Sequence, residues 1–412
     1  MKILKSLQTF SLLSAVFFLP INLNLNNISL VIFIVSSFLF FFFKEKENKK
    51  LILKSNFKII ILFSIPFLLN FFGLFYSKNL NLAIDYNIRA LPFLLLPTVS
   101  VVSTKVLFDN YKRMGMALIF GCLATALFSW AFSFYEISQL NRPFSAIIGP
   151  LYTHHNLLKS LDLHAAYVSI CIYTAIGFVI RTYSSLNNKT KRFYFIVALF
   201  LAIFMIQLLS RNALIFSFFS LSIYLVLKRK WRLIFAIYFI ISLGLVGAYN
   251  INHNYLRDRL FNSLNLMEKP TKFSKKDNRF DRLRASYEIF IKSPIYGYGT
   301  ASEDSFRNTV FKKNLDQIAY KKNYNAHNQF FEYLSTFGII GGVAYLIFFI
   351  ALFYLVFSLK EGFFIFIVIG LFSACLTESI FERSQGVVYT SLFLSVLISF
   401  FRTKGFRFGG II

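Results

Sequence analysis

The chain is predicted to be an all-α polytopic membrane protein, and three observations on its 412 residues predict it. Its composition is 57% hydrophobic and 19% aromatic, with a mean hydropathy of +0.61, beyond any soluble globular class. Its apolar residues gather into long runs separated by short polar stretches. Many of its Lys and Arg fall between those runs, in every second short loop. A net charge of +26 would point to nucleic acid in a soluble protein. Here the placement of the basic residues reads as topology, and no nucleic-acid partner is expected.

A bilayer crossing needs about 20 mainly apolar residues in a helix, since a helix satisfies its own backbone groups in hydrocarbon. Twelve runs are read as spans, near residues 6–21, 28–43, 57–75, 89–103, 114–135, 164–180, 193–209, 213–227, 233–249, 335–357, 362–377 and 386–401. Lys2 and Lys5 before the first run imitate a signal peptide. No small-residue cleavage site follows, and the second run comes at once, so the first is read as an uncleaved span. Only Ser210-Arg211-Asn212 separates the runs 193–209 and 213–227. Fusing them would bury Arg211 at a cost of about 2.5–3.5 kcal/mol, so a tight return at the surface is expected.

With the N-terminus inside, the inner loops near 44–58, 105–113, 181–192, 228–232, 360 and 402–407 all carry Lys or Arg. The short outer loops are poor in charge, which is the positive-inside pattern. The same register puts one long polar segment, residues 250–328, outside. The chain then divides into nine spans over 1–249, this outer loop over 250–328, and three spans over 329–412. Cys122, Cys171 and Cys375 lie in or at the edge of apolar runs and show no metal-ligand spacing.

The candidate chemistry lies on the outer side. Arg279, Arg282 and Arg284 form a cluster in the long loop. Guanidinium presents a planar fork suited to phosphate oxygens and stays charged at any working pH, so the cluster suits a lipid-linked phosphate. Lysines such as Lys275 and Lys276 read as a solvated face turned to anionic headgroups. The following residues, up to Pro294, predict a short amphipathic helix able to lie in the membrane interface, with Ile289 and Phe290 on its apolar side. Gly297 and Gly299 then read as a tight turn rather than a phosphate cradle. Arg211, between two apolar helices, is a functional candidate that competes with a snorkelling anchor.

Residues 324–334, Tyr-Asn-Ala-His-Asn-Gln-Phe-Phe-Glu-Tyr-Leu, close the loop. Asn325 is expected to cap the next helix, which would put His327 near a helix N-terminus and keep it neutral, able to accept a proton. The competing reading is a structural histidine. His154, His155 and His164 lie in or beside another outer loop without metal-ligand spacing, and Glu378 and Arg383 share that outer face.

Taken in order, Leu209-Ser210-Arg211-Asn212-Ala213, the segment from Arg279 to Gly299, and His327-Asn328 with Glu332, Gly338, Gly341 and Gly342 resemble the O-antigen ligase and polymerase superfamily. The residues 377–386 and His164-Ala165-Ala166-Tyr167 also resemble it, the latter without the proline of the family segment. The resemblance implies a metal-independent, inverting glycosyltransferase of the bacterial inner membrane, with about twelve spans, no cofactor and its site facing the periplasm. Its donor would be a glycan on undecaprenyl diphosphate. A ligase passes that glycan to lipid A–core, and a polymerase to another lipid-linked repeat. A flippase or transporter is the non-enzyme alternative. The resemblance implies catalytic roles for His327, Arg211 and Arg279. It also implies substrate-binding roles for Arg282, Arg284, Asn328, Glu332, Glu378, Arg383 and His164.

Overall fold

The computed structural model describes residues 1–43, 49–183, 187–208, 279–314 and 316–405, with scattered positions between 217 and 238. Among them every regular element is helical. Ten helices precede the long polar segment: α1 Lys2–Phe18, α2 Leu23–Phe43, α3 Lys49–Ser55, α4 Phe57–Phe63, α5 Ile65–Leu74, α6 Leu80–Ala90, α7 Pro92–Val102, α8 Thr104–Gln139, α9 Ala165–Tyr183 and α10 Asn188–Gln207. The described part of the polar segment holds α11 Arg279–Lys292, α12 Glu303–Lys313 and α13 Gln317–Lys322. Three more follow: α14 Gln329–Leu359, α15 Gly362–Cys375 and α16 Ser384–Thr403.

Seven of the described helical stretches are long and apolar enough to cross a membrane, or eight if α4 and α5, bent by 66°, form one span. The chain is a multi-pass membrane protein. The expected spans 6–21, 28–43, 164–180, 193–209, 335–357, 362–377 and 386–401 each fall on one helix. The run 57–75 is instead broken at Ser64, and α8 runs well past 114–135 at both ends. The expected spans 213–227 and 233–249, the return at Ser210–Asn212 with Arg211, and loop residues 250–278 lie outside the described residues, apart from isolated positions of those two runs.

The bundle core joins α1, α2, α7, α8, α9, α14, α15 and α16 around residues such as Phe33, Phe93, Leu118, Phe348 and Leu392. The polar segment has its own small core of Ala285, Ile289, Val310, Phe311 and Ala319, packed between α11, α12 and α13. Ile289, expected on the side of α11 turned to the membrane interface, is instead buried in this core. The opposite face of α11 is apolar too, with Phe280, Tyr287 and Ile291 exposed.

This unit is keyed into the bundle by backbone. The helix α14 breaks at Gly338, with φ 64° and ψ −154°. The N–H groups of Tyr298 and Gly299 donate to Thr336 O at 2.9 Å, and Ile339 N donates to Pro294 O at 2.8 Å. The turn read at Gly297-Tyr298-Gly299 thus supplies the partners that the broken helix cannot supply for itself. A Cβ on Gly297 would stand 2.2 Å from Thr336 O. Gly297 and Gly405 both hold positive φ, and a Cβ on Gly405 would meet nothing within 4 Å. Gly405→Ala should therefore show only the left-handed cost of about 1–2 kcal/mol. Gly297→Ala adds a clash with fixed backbone, so its melting temperature in detergent should fall clearly further. Equal shifts for the two variants would mean that the turn does not need this approach.

Candidate functional site

The site forms where the end of the polar segment meets the short connection between α15 and α16. Three side chains tie these stretches together, and a fourth, Arg89, ties the connection to α6. Asn328 caps α14, accepting from Phe330 N and Phe331 N, and its amide donates to Leu376 O at 2.9 Å. Gln329 accepts from Phe381 N at 2.7 Å. Glu332 accepts from Ala326 N at 2.7 Å and from the Ser379 hydroxyl at 3.1 Å. Arg89, on α6, donates to Glu382 O at 3.2 Å. The cap expected at Asn325 is thus taken by Asn328. Asn325 instead accepts from His327 N at 3.1 Å, a local turn that holds His327 at φ 48° ahead of the helix.

His327 meets Glu378 across this junction, Nδ1 to Oε2, at 2.8 Å. A carboxylate at this distance favours the imidazole tautomer with its proton on Nδ1, the one that carries its lone pair on Nε2. Nε2 is buried, and among the described residues it has no hydrogen-bond partner. The Tyr324 ring lies edge-on to the imidazole, with centroids 5.4 Å apart. On its other contact Tyr324 receives the Arg282 guanidinium, 4.0 Å from the ring centroid. Arg282 is buried, and burial lowers its pKa from the ordinary arginine value against the opposing pull of Tyr324. Arg282, Tyr324, His327 and Glu378 form one continuous group.

His164 joins it from the start of α9. His155 Nδ1 and His164 Nδ1 accept from the N–H groups of Ala165 and Ala166, so the two imidazoles serve the open end of that helix. Their rings lie 4.0 Å apart, and His154 lies 3.8 Å from His155. Burial, His155 and the charge of Arg383 push His164 down to about 3, with Glu378 opposing. It is therefore neutral at physiological pH. The chain order gave no sign that these three histidines form one row.

Arg284 is exposed and paired with Glu288 at 3.3 Å. Arg383 is exposed at the start of α16. The backbone of Arg279 opens α11. Glu332 is turned inward: its second oxygen accepts from Arg307 Nη2 at 2.7 Å, with both side chains 1–2% exposed. Arg307 also reaches Asp304 at 3.3 Å and the Ser335 hydroxyl at 3.2 Å. Burial lowers the Arg307 pKa, but Glu332, Asp304 and Glu303 outweigh it and hold the pKa above the ordinary value. Burial, then Glu332 and Asp304, pushes Glu382 up to about 8. Among the described residues no three His, Cys, Asp or Glu side chains are arranged to hold a metal ion.

The fold and these contacts define a multi-pass membrane protein with a histidine–carboxylate pair and arginines gathered at one end of its bundle. Residues 194–346 match the family model described as O-antigen ligase, which supports the O-antigen ligase superfamily. That family of ligases and polymerases points to a glycosyltransferase-like enzyme with glycan or lipid-linked substrates. The matched stretch holds Arg211, Arg279, Arg282, Arg284, His327, Asn328 and Glu332, and leaves His164, Glu378 and Arg383 outside. No curated protein matches the chain.

Proposed function

We propose that this protein is an O-antigen ligase, moving a glycan from undecaprenyl diphosphate to lipid A–core at the periplasmic face of the inner membrane. In this reading residues 250–328 are the periplasmic loop between nine spans and three. The His327–Glu378 pair, with Nε2 unpaired, is the observation that carries it. An acceptor sugar hydroxyl attacks the anomeric carbon from the face opposite the diphosphate and gives its proton to His327 Nε2. The bond from the anomeric carbon to the diphosphate oxygen breaks, and its electron pair leaves with the diphosphate. Configuration inverts. Glu378 holds the ring and stabilises the imidazolium that forms. Arg211 and Arg279 take the charge that develops on the diphosphate, with Arg282 as the next candidate. Arg284, Arg383 and His164 contact the substrates from the rim, and Asn328 and Glu332 shape the turn that presents His327.

The lipopolysaccharide profile of a deletion strain tests the reading. Loss of all attached glycan is expected. Core carrying a single repeat would make the protein a polymerase, and an unchanged profile would remove it from this pathway.

Two predictions follow from arginines doing the work of a cation. Purified protein should keep its activity in EDTA. Loss on chelation with recovery on Mg²⁺ or Mn²⁺ would sink that account. Arg211→Lys keeps the charge but loses the two-pronged contact, so transfer should fall severely. Lys275→Ala and Lys276→Ala should act weakly, as screened surface charges do. Wild-type activity in Arg211→Lys would make Arg211 an anchor only.

A further inference from the structure

We propose that the turn at residues 294–299, together with Ile291 and the end of α5, is a lipid-contacting band that seats the polar segment in the membrane leaflet on its own side. The inference depends on the chain being a membrane protein and not on glycan transfer.

The band is apolar and open. Ile295 is 57% exposed, Tyr296 64% and Phe75 71%, and Ile291, Tyr76, Ile339 and Ile340 are exposed beside them. It is one surface, because hydrogen bonds stitch its parts together. Tyr76 Oη donates to Tyr296 O at 2.9 Å, Thr300 N donates to Gly73 O at 3.2 Å, and Ile339 N donates to Pro294 O. Two of its contributors, α5 and α14, are themselves apolar candidate membrane elements, so the band continues a surface that faces lipid. Contiguous exposed apolar surface of this kind marks an interaction site.

The level along α14 identifies the partner as lipid. The helix has 31 residues and is followed directly by Lys360 and Glu361. At about 1.5 Å per residue it is longer than the hydrocarbon core of about 30 Å. Counting about 20 residues back from Leu359 puts the opposite hydrocarbon edge near Ile340. The break at Gly338 lies two residues beyond that point, and the turn that fills it lies at the same height. Tyr76 and Tyr296 then stand at the level where tyrosines favour a membrane boundary. Exposed Lys292 at the end of α11 and exposed Lys78 beyond α5 flank the band, positioned for lipid phosphates. The leaflet thereby fixes the height of α11, and with it Arg282 and Tyr324 beside His327.

Nitroxide probes measure this directly. In a background with buried Cys122, Cys171 and Cys375 replaced by alanine, Ile291→Cys, Tyr296→Cys and Lys313→Cys would each be spin-labelled. The proteins would be placed in nanodiscs of phosphatidylethanolamine and phosphatidylglycerol. Oxygen should relax the labels at 291 and 296 more than a water-soluble nickel chelate does, with the reverse at 313 on exposed α12. A nickel effect at 296 equal to that at 313 would overturn the proposal, whatever the transfer activity. Should the alanine background not fold, Tyr296→Trp in the native-cysteine protein answers the same question. Lipids brominated near the headgroup should quench it beyond the background of Trp130 and Trp231, and no added quenching would overturn the proposal.

Discussion

His327→Ala is expected to lower transfer by about 10²–10⁴-fold, the usual contribution of a general base, with expression and membrane insertion unchanged. The acceptor hydroxyl is too weakly acidic to be ionised near pH 7, so its proton must leave as the new bond forms. Nε2 is the atom placed to take it, because Nδ1 is committed to Glu378 at 2.8 Å. His327→Gln separates two roles. Its amide can orient a hydroxyl but cannot accept a proton at this pH, so it should be nearly as inactive as alanine. Glu378→Gln should fall between the variants and wild type, since an amide oxygen still holds Nδ1–H but does not stabilise an imidazolium. Single-turnover assays on reconstituted protein, with donor binding measured separately, would decide. A glutamine variant that keeps most of its rate would move the proton to another group or to the departing diphosphate.

Glu332→Ala should have the largest effect on stability. It would take from the Arg307 guanidinium, which is 1% exposed, its shortest and most buried partner and leave it Asp304 and Ser335, and breaking one side of a buried pair costs up to about 3–5 kcal/mol. Melting in detergent should drop accordingly. The same change removes the acceptor of Ala326 N and the Ser379 hydroxyl, which hold the stretches carrying His327 and Glu378. A double variant separates these effects. Arg307→Met with Glu332→Leu removes both charges and should recover much of the melting temperature, because apolar replacement of a buried ion pair is often neutral or better. Transfer should stay impaired, since the orphaned Ala326 N–H and Ser379 no longer fix the pair. Full activity in the double variant would mean that Glu332 acts on stability alone.

The helix order was legible because apolar runs and alternating basic loops are local signals. The bend at Ser64 was not, since one apolar run continues across it. The cap was misplaced by three residues because Asn325 and Asn328 are equally good caps on paper. What decides between them is that Asn328 reaches both Phe330 N and Phe331 N. The site was legible only in pieces. His327, Arg282 and Glu378 could be singled out by residue type, but His327 and Glu378 lie 51 positions apart, and no local pattern pairs them. No local pattern sets Arg307 apart from the other basic residues of the polar segment, though its side chain is buried on Glu332. Glu332 was grouped with His327 by its place in the motif. Its carboxylate is directed to Arg307, Ala326 and Ser379.

The break at Gly338 also sets an order of assembly. A span entering the bilayer as an uninterrupted helix brings its own hydrogen bonds with it. A span already broken there would bring Thr336 O and Ile339 N–H to the hydrocarbon edge without their protein partners. Those partners lie at Pro294, Tyr298 and Gly299, in a segment made earlier but docked from the aqueous side. A helix that inserts whole and breaks only when that segment arrives never leaves those groups unpaired. The turns before Gly338 reorient at that moment, and His327 rides at their head. Its meeting with Glu378, which follows α15 in the chain, belongs to the last stage of maturation, so a half-assembled protein holds no paired base.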